Sequence, residues 1–251
     1  MSVDLRGSVA LVTGGGTGLG RAISLALARA GADVAIGYSV STDDAEATEA
    51  ELRALGIRSS ALQGDLRSWK TARLIVEEVQ RRHGSLDILV NNAGVTRSIP
   101  FDDLDAVEEG DWDSILEINL RAAFAFVQAA APGMRRRGYG RVLNVASNSA
   151  FTADGSSIPY VVSKGALITL THALARALAP TILVNAVAPG WMETRWMERH
   201  LAPAGRRRLA VAPVDVVAVA DIALALIGND AITGEVLVVD RGEHLHPGTL
   251  S

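Results

Sequence analysis

Val9-Ala10-Leu11-Val12-Thr13-Gly14-Gly15-Gly16-Thr17-Gly18-Leu19-Gly20 is the stretch that decides the fold. A short run of apolar, partly β-branched residues meets a glycine-rich turn, and a helical pattern, Arg21 to Ala30, follows at once. The glycines at 14, 18 and 20 give a G-x-x-x-G-x-G spacing. Glycine lets the backbone turn sharply and approach a ligand without a Cβ in the way. The helix behind it offers unpaired N–H groups and the positive end of its dipole, a site for a pyrophosphate. A strand, this turn and a helix together are the opening of a dinucleotide-binding βαβ unit.

Outward from this turn the pattern repeats. Strands are expected at Val9 to Val12, Val34 to Ile36, Ser59 to Gln63, Ile88 to Asn91, Val142 to Ala146, Ile182 to Val187 and Val236 to Val239. Helices are expected at Arg21 to Ala30, Asp43 to Leu55, Trp69 to His83, Asp111 to Arg137, Ser157 to Ala179 and Val214 to Ile227. Gly31, Gly56 and Gly84 stand just past three of them, Ser41 or Thr42 is a candidate cap, and Pro132-Gly133 is a candidate break. Alternating elements with continuously apolar strands imply a parallel sheet covered on both faces. Right-handed crossovers make it a doubly wound α/β sheet of about seven strands. No composition break divides the 251 residues, so one domain, 1–251, is expected, with Gly190 to Pro213 as its least regular segment and a candidate lid.

Composition excludes several functions. Apolar residues make up 49% of the chain, enough for a sizeable core. A net charge of -4 leaves no basic surplus for phosphates, so no nucleic-acid partner is expected. Cysteine is absent, which removes disulfides and thiolate metal sites. His83, His172, His200, His244 and His246 form no zinc spacing, so no metal is expected. The runs Arg135 to Arg137 and Arg206 to Arg208, and the acidic stretch Asp102 to Asp113, read as solvated charge. The first apolar run ends after about five residues, too short for a signal peptide, and no uninterrupted run reaches the roughly 18 residues of a membrane span. A cytoplasmic location without membrane partners is the expectation. The only lysines are Lys70 and Lys164.

Tyr160 and Lys164 are four residues apart, on one face at the start of a helix. A free tyrosine has a pKa of about 10, and a nearby ammonium favours its phenolate. The pair is therefore a chemically sensible acid–base unit. Ser147 follows a strand at the sheet's carboxyl end, where doubly wound sheets bind ligands, and its hydroxyl could donate to a substrate oxygen. Asn119 lies mid-helix, where asparagine is a poor helix former.

Thr13 to Gly20, Asp65, Asn91-Asn92-Ala93-Gly94, Asn119, Ser147, Tyr160 with Lys164, and Pro189-Gly190 together resemble the short-chain dehydrogenase/reductase family over essentially the whole chain. The pattern is most similar to 3-oxoacyl-carrier-protein reductases and small carbonyl reductases. The resemblance implies a Rossmann-type fold and a hydride transfer between a nicotinamide cofactor and a carbonyl or secondary alcohol. It implies Tyr160 as acid/base, Ser147 as donor to the substrate oxygen and Lys164 as the group that lowers the tyrosine pKa and binds the nicotinamide ribose. Asn119 would kink its helix and support a proton relay. The cofactor would be held by Gly14, Gly16, Thr17, Gly18, Leu19 and Gly20, by Tyr38 and Ser39, by Asp65 and Leu66, and by Asn91, Ala93 and Gly94. Tyr160, Lys164, Pro189, Gly190 and Thr194 would complete its site, with Val187 beside Thr194 at the nicotinamide. A homotetramer is implied, built on the helices Asp111 to Arg137 and Ser157 to Ala179 and on Val214 to Ile227 with the last strand.

Two residues depart from the family pattern: Gly165 where alanine is usual, and Arg241 in a place usually held by glycine. A carbonyl reductase is the leading expectation. The same site running as an alcohol dehydrogenase is the alternative, and a non-catalytic cofactor binder is disfavoured because Ser147, Tyr160 and Lys164 are all present. NADP(H) is favoured over NAD(H), because Tyr38 stands where an acid would bind a free ribose 2′-hydroxyl. Thr17 in place of an arginine, and Asp43 and Asp44 nearby, limit that preference to about tenfold, or about 1.4 kcal/mol.

Overall fold

A computed structural model of the chain describes residues 3–195 and 212–245. Its strands are β1 (Val9–Thr13), β2 (Asp33–Tyr38), β3 (Ser59–Gln63), β4 (Ile88–Asn91), β5 (Gly140–Val145), β6 (Ile182–Pro189) and β7 (Val236–Val239). They form one seven-stranded sheet in the order β3-β2-β1-β4-β5-β6-β7. Every pairing is parallel. This is the doubly wound sheet that the alternation predicts. The chain winds outward from β1 to β3, then returns to start the other half at β4. The β1–β4 boundary is the switch point beside which a ligand crevice opens at the strands' carboxyl ends.

The helices are α1 (Gly18–Arg29), α2 (Thr42–Ala54), α3 (Trp69–His83), α4 (Glu109–Leu116), α5 (Ala122–Arg137), α6 (Ser149–Thr152), α7 (Ile158–Leu178) and α8 (Val216–Ile227). Strand periodicity assigns them to faces. Ala10, Val12, Ile88, Val90 and Leu143 point to a core shared with Ile23 and Leu27 of α1 and Val219, Ala223 and Leu226 of α8. Val9, Leu11, Leu89, Val142 and Val184 point the other way, to Ile75 and Val79 of α3, Phe126 and Met134 of α5, and Leu174 and Leu178 of α7. Local signals set the boundaries. Ser68 accepts from the Thr71 N–H at 3.2 Å to start α3, and Gly84 ends it at φ 92°. Asp215 accepts from the Val217 N–H at 2.9 Å to start α8, two residues later than the sequence pattern suggests.

The long helix after β4 corrects an expectation. Pro132 sits inside α5 without ending it. The irregularity comes earlier, as a π-helical turn over Glu117–Arg121. One extra residue is accommodated there, as π-bulges do, and it falls on Asn119. The acidic connection before it is structured by its own charges: Asp111 accepts from the Glu108 N–H at 2.9 Å and pairs with Arg97 at 2.6 Å. Of the described helices only α7 is long and apolar enough to cross a membrane by length and composition. Here it packs against β6 and α4 and buries Lys164.

Candidate active site

The glycine turn is held from three sides. Thr13, 2% exposed, donates to the Val90 carbonyl at 3.3 Å and accepts from the N–H groups of Asn92 and Ala93 at 3.0 and 3.1 Å. The Asn92 amide donates to the carbonyls of Thr13 and Gly14. Thr48 of α2 donates to the Gly16 carbonyl at 2.9 Å, and Ser24 donates to those of Gly15 and Gly20. A Cβ at Gly20 would lie 2.2 Å from the Gly14 carbonyl oxygen, and one at Gly16 would lie 2.9 Å from Ala45 Cα. Neither tolerates a side chain. Thr17 is extended and makes no side-chain cap, so it leaves the first N–H groups of α1 to another acceptor. The cradle thus fits a pyrophosphate.

The catalytic candidates converge at the carboxyl edge between β4 and β5. Asn119, Ser147, Tyr160 and Lys164 are each at most 9% exposed. Ser157 starts α7 by accepting from the Tyr160 N–H at 3.4 Å, which fixes the turn that carries Tyr160. Lys164, one turn on, donates to the Val145 carbonyl at 2.8 Å, and its Nζ stands 5.7 Å from the Tyr160 ring centre. Ser147 reaches Tyr160 by a side-chain hydrogen bond and Ser149 at 3.0 Å. Asn119 accepts from the Val95 N–H at 2.8 Å and donates to the Val95 carbonyl and Ser163, each at 3.0 Å. A Cβ on Gly94 would lie 3.3 Å from Asn119 Oδ1 and 3.6 Å from Lys164 Nζ, so these three share one corner.

The electrostatics differ from the sequence expectation. Burial pushes the Tyr160 phenol up to about 12, with the Ser147 hydrogen bond pulling it down. Burial lowers the Lys164 ammonium to about 8. In the protein alone, desolvation leads for both groups.

Other predicted residues fall in varied places. Leu19 and Leu66 are buried, while half-buried Tyr38 ends β2 and exposed Ser39 follows it. Thr194 lies against Gly18, within 3.7 Å of where a Cβ there would be. Asp65 is half-exposed, and the Arg67 guanidinium beside it holds its carboxyl below the usual range. Pro189 accepts from the Asn148 N–H, and the Gly190 N–H donates to the Val239 carbonyl. Two further positions are buried. Asn91 turns into the protein: its amide donates to Asn144 at 2.9 Å and to the Ala123 carbonyl of α5. Asn144 donates on to Thr171, so Asn91 ties β4 to β5 and α7. Val187 is fully buried among the α1 and α8 core residues. Most of the predicted lid, with Trp196, His200 and Arg206 to Arg208, lies outside the described residues, as does His246.

Two contacts carry no sequence motif. Arg195 pairs with Asp44 of α2 at 2.7 Å, linking the segment after β6 to the helix after β2. Asn148 donates to Glu243 at 2.9 Å, from beside Ser147 to the turn after β7. Asn92 could have been found, since it stands within the quoted Asn91 to Gly94 motif.

This fold and this buried Ser–Tyr–Lys group define a nicotinamide-dependent oxidoreductase. The family model described as short chain dehydrogenase matches residues 8–203, and the chain belongs to that family. It is 38% identical over 247 residues to a ketoacyl reductase of the granaticin polyketide synthase of Streptomyces violaceoruber, covering 94% of this chain and 96% of that one. It is 40% identical over 184 residues to the 3-oxoacyl-[acyl-carrier-protein] reductase FabG of Staphylococcus aureus, covering 73% and 74%. A Burkholderia cenocepacia short chain dehydrogenase in complex with NADP superposes with a TM-score of 0.86 at 38% identity over 95% and 98% of the two chains. A NAD+-bound xylitol dehydrogenase superposes with a TM-score of 0.84 at 28% identity over 93% and 98%. The chain is accordingly an NAD(P)-dependent enzyme of this family.

Proposed function

We propose that this enzyme reduces a 3-oxoacyl or related ketone to the secondary alcohol, and that Asn119, Ser147, Tyr160 and Lys164 are its working residues. The observation that carries this is the buried group itself: Ser147 hydrogen-bonded to Tyr160, with Lys164 5.7 Å from the ring, beside Gly94. The glycine turn and the start of α1 would hold the pyrophosphate, and Thr194 against Gly18 would close over it. The nicotinamide, when bound, supplies the hydride. Ser147 donates a hydrogen bond to the substrate oxygen where negative charge builds. Tyr160 gives that oxygen a proton, and the Lys164 ammonium favours the phenolate left behind. Asn119 holds the Val95 backbone and Ser163 around this corner.

NADP(H) is the preferred cofactor in this reading. No carboxylate stands at Tyr38 to repel a 2′-phosphate, and Ser39 and Thr42 offer hydroxyls. Of the two nearby acids that limit the preference, Asp43 and Asp44, the second is paired with Arg195. The experiment is a panel of ketones and secondary alcohols, followed by the absorbance of the reduced cofactor, with NADP(H) and NAD(H) side by side. Tyr160→Phe should lose roughly 10²–10⁴-fold in rate while binding cofactor normally. A variant retaining more than about one tenth of the rate removes Tyr160 from the acid–base role.

A further inference from the structure

After β7 this chain places Arg241 where the family pattern has the first of two glycines. Arg241 and Gly242 are both left-handed, at φ 57° and 83°. An arginine in that region is uncommon and strained, and such outliers persist where surrounding contacts enforce them. Asp240, 2% exposed, holds the reversal by accepting from the N–H groups of Gly242 and His244 and from His244 Nδ1. The reversal brings Glu243 onto the active-site walls.

Glu243 touches both walls. Its Oε2 accepts from the Asn148 amide at 2.9 Å, next to Ser147. It also accepts from the backbone N–H of Trp191, at the start of the lid. Gly190 makes room for it: a Cβ there would lie 2.8 Å from that oxygen and 2.6 Å from Asp240 Cβ. Asn148 in turn donates its N–H to the Pro189 carbonyl. One carboxylate therefore spans the loop after β5 and the segment after β6. Asp240, just after β7, and Asp154 from the α6–α7 loop are the like charges that bear on it, and with burial they push its carboxyl up, against the two donors.

Resting on the oxidoreductase reading above, we propose that Glu243 is a positioning residue that sets Ser147 at its working distance from the lid's first residues, and so fixes the width of the substrate side of the cleft. It touches neither substrate nor cofactor in this role. Its effect passes through Asn148 and Trp191.

The test compares Glu243→Ala, which removes both contacts, with Glu243→Gln, which keeps an acceptor oxygen and the volume. For the alanine variant, the KM for the carbonyl substrate should rise about tenfold and kcat should fall. Its cofactor affinity, read by fluorescence of the bound reduced cofactor, should stay within twofold. The glutamine variant should restore kcat/KM to within about threefold of wild type. Amide hydrogen exchange at Trp191 supplies a readout that needs no substrate: it should accelerate in the alanine variant and not in the glutamine variant. Unchanged exchange at Trp191 would overturn the clamp. Accelerated exchange with unaltered kcat/KM would overturn the positioning role. An equal loss of cofactor affinity in both variants would reduce Glu243 to general structural support. Wild-type inactivity on every ketone and alcohol would instead remove the functional reading, and the exchange measurement would then decide the clamp alone.

Discussion

Lys164 is the residue at which activity and stability oppose each other. Its ammonium is 4% exposed and lowered to about 8, from 10.5, by burial. Below pH 8 it is charged both folded and unfolded, and the folded state bears the whole desolvation cost, on the order of 3 kcal/mol. Between pH 8 and 10.5 the unfolded chain binds more protons, so this cost fades as pH rises, and above 10.5 it is gone. Lys164→Met should remove the cost and lose the hydrogen bond to Val145, worth about 1 kcal/mol. The variant should therefore be inactive yet about 2 kcal/mol more stable at pH 7, with the gain shrinking toward pH 10. Tyr160, with its raised pKa, opposes this trend only above pH 10, and it does so in both proteins, so it cancels from the comparison. Denaturant titrations at the two pH values check it. A methionine variant less stable at pH 7 would mean that the ammonium is better compensated than its burial implies. The placement of Tyr160 and Lys164 on one helix face was legible from spacing, but their reading as a working pair needed the rest of the family set. The direction of the shifts was not, because desolvation depends on what packs around a side chain. The bonds of Asn91 were hidden for a similar reason: a motif gives its position on β4, but only the sheet's other strands decide which way its amide faces.

At the scale of elements, most strands and helices follow from two periods and their punctuation. Alternate strand residues serve opposite cores, Gly84 ends α3 as expected, and Ser68 and Ser157 cap the starts of α3 and α7. β2 and β6 run longer than expected because the sheet pairs flanking residues such as Asp33 and Pro189, whose own preference is weak. The π-turn at Glu117–Arg121 falls where the family resemblance implies a kink at Asn119, though no residue type by itself encodes its π geometry. It exists because Asn119 makes three hydrogen bonds that hold it toward Val95 and α7. Asn119→Ala leaves the Val95 N–H without its acceptor, at a cost of about 1–3 kcal/mol. We expect a melting temperature lower by several degrees, by calorimetry, and a kcat that falls well beyond that loss when assayed where the variant is fully folded. A kcat unchanged at that temperature would make the asparagine purely structural.

For the whole molecule, the open question is what covers its outer faces. β7 is an edge strand, yet Leu237 on it is 40% exposed, and Val217 on α8 is 50% exposed. Val162 on α7 is 44% exposed. Parallel strands are ordinarily covered on both faces, so these two surfaces suit burial against further copies of the chain. A homotetramer is the expected assembly, and light scattering at micromolar concentration should give four times the chain mass. A monomer there would reject it.

The scarcity of lysine has a practical consequence. Lys164 is sealed beneath Tyr160, and Lys70 lies exposed at the start of α3. Apart from the chain's amino terminus, a resin that captures amines can hold the native protein only through that one side chain. Every molecule would hang in the same orientation. Because helices of this sheet begin at its carboxyl edge, the anchor would sit on the same edge as the cleft entrance, at β3, three strands from β4. Coupling through the carboxylates near Asp4, at the opposite edge, would leave that entrance open to solution.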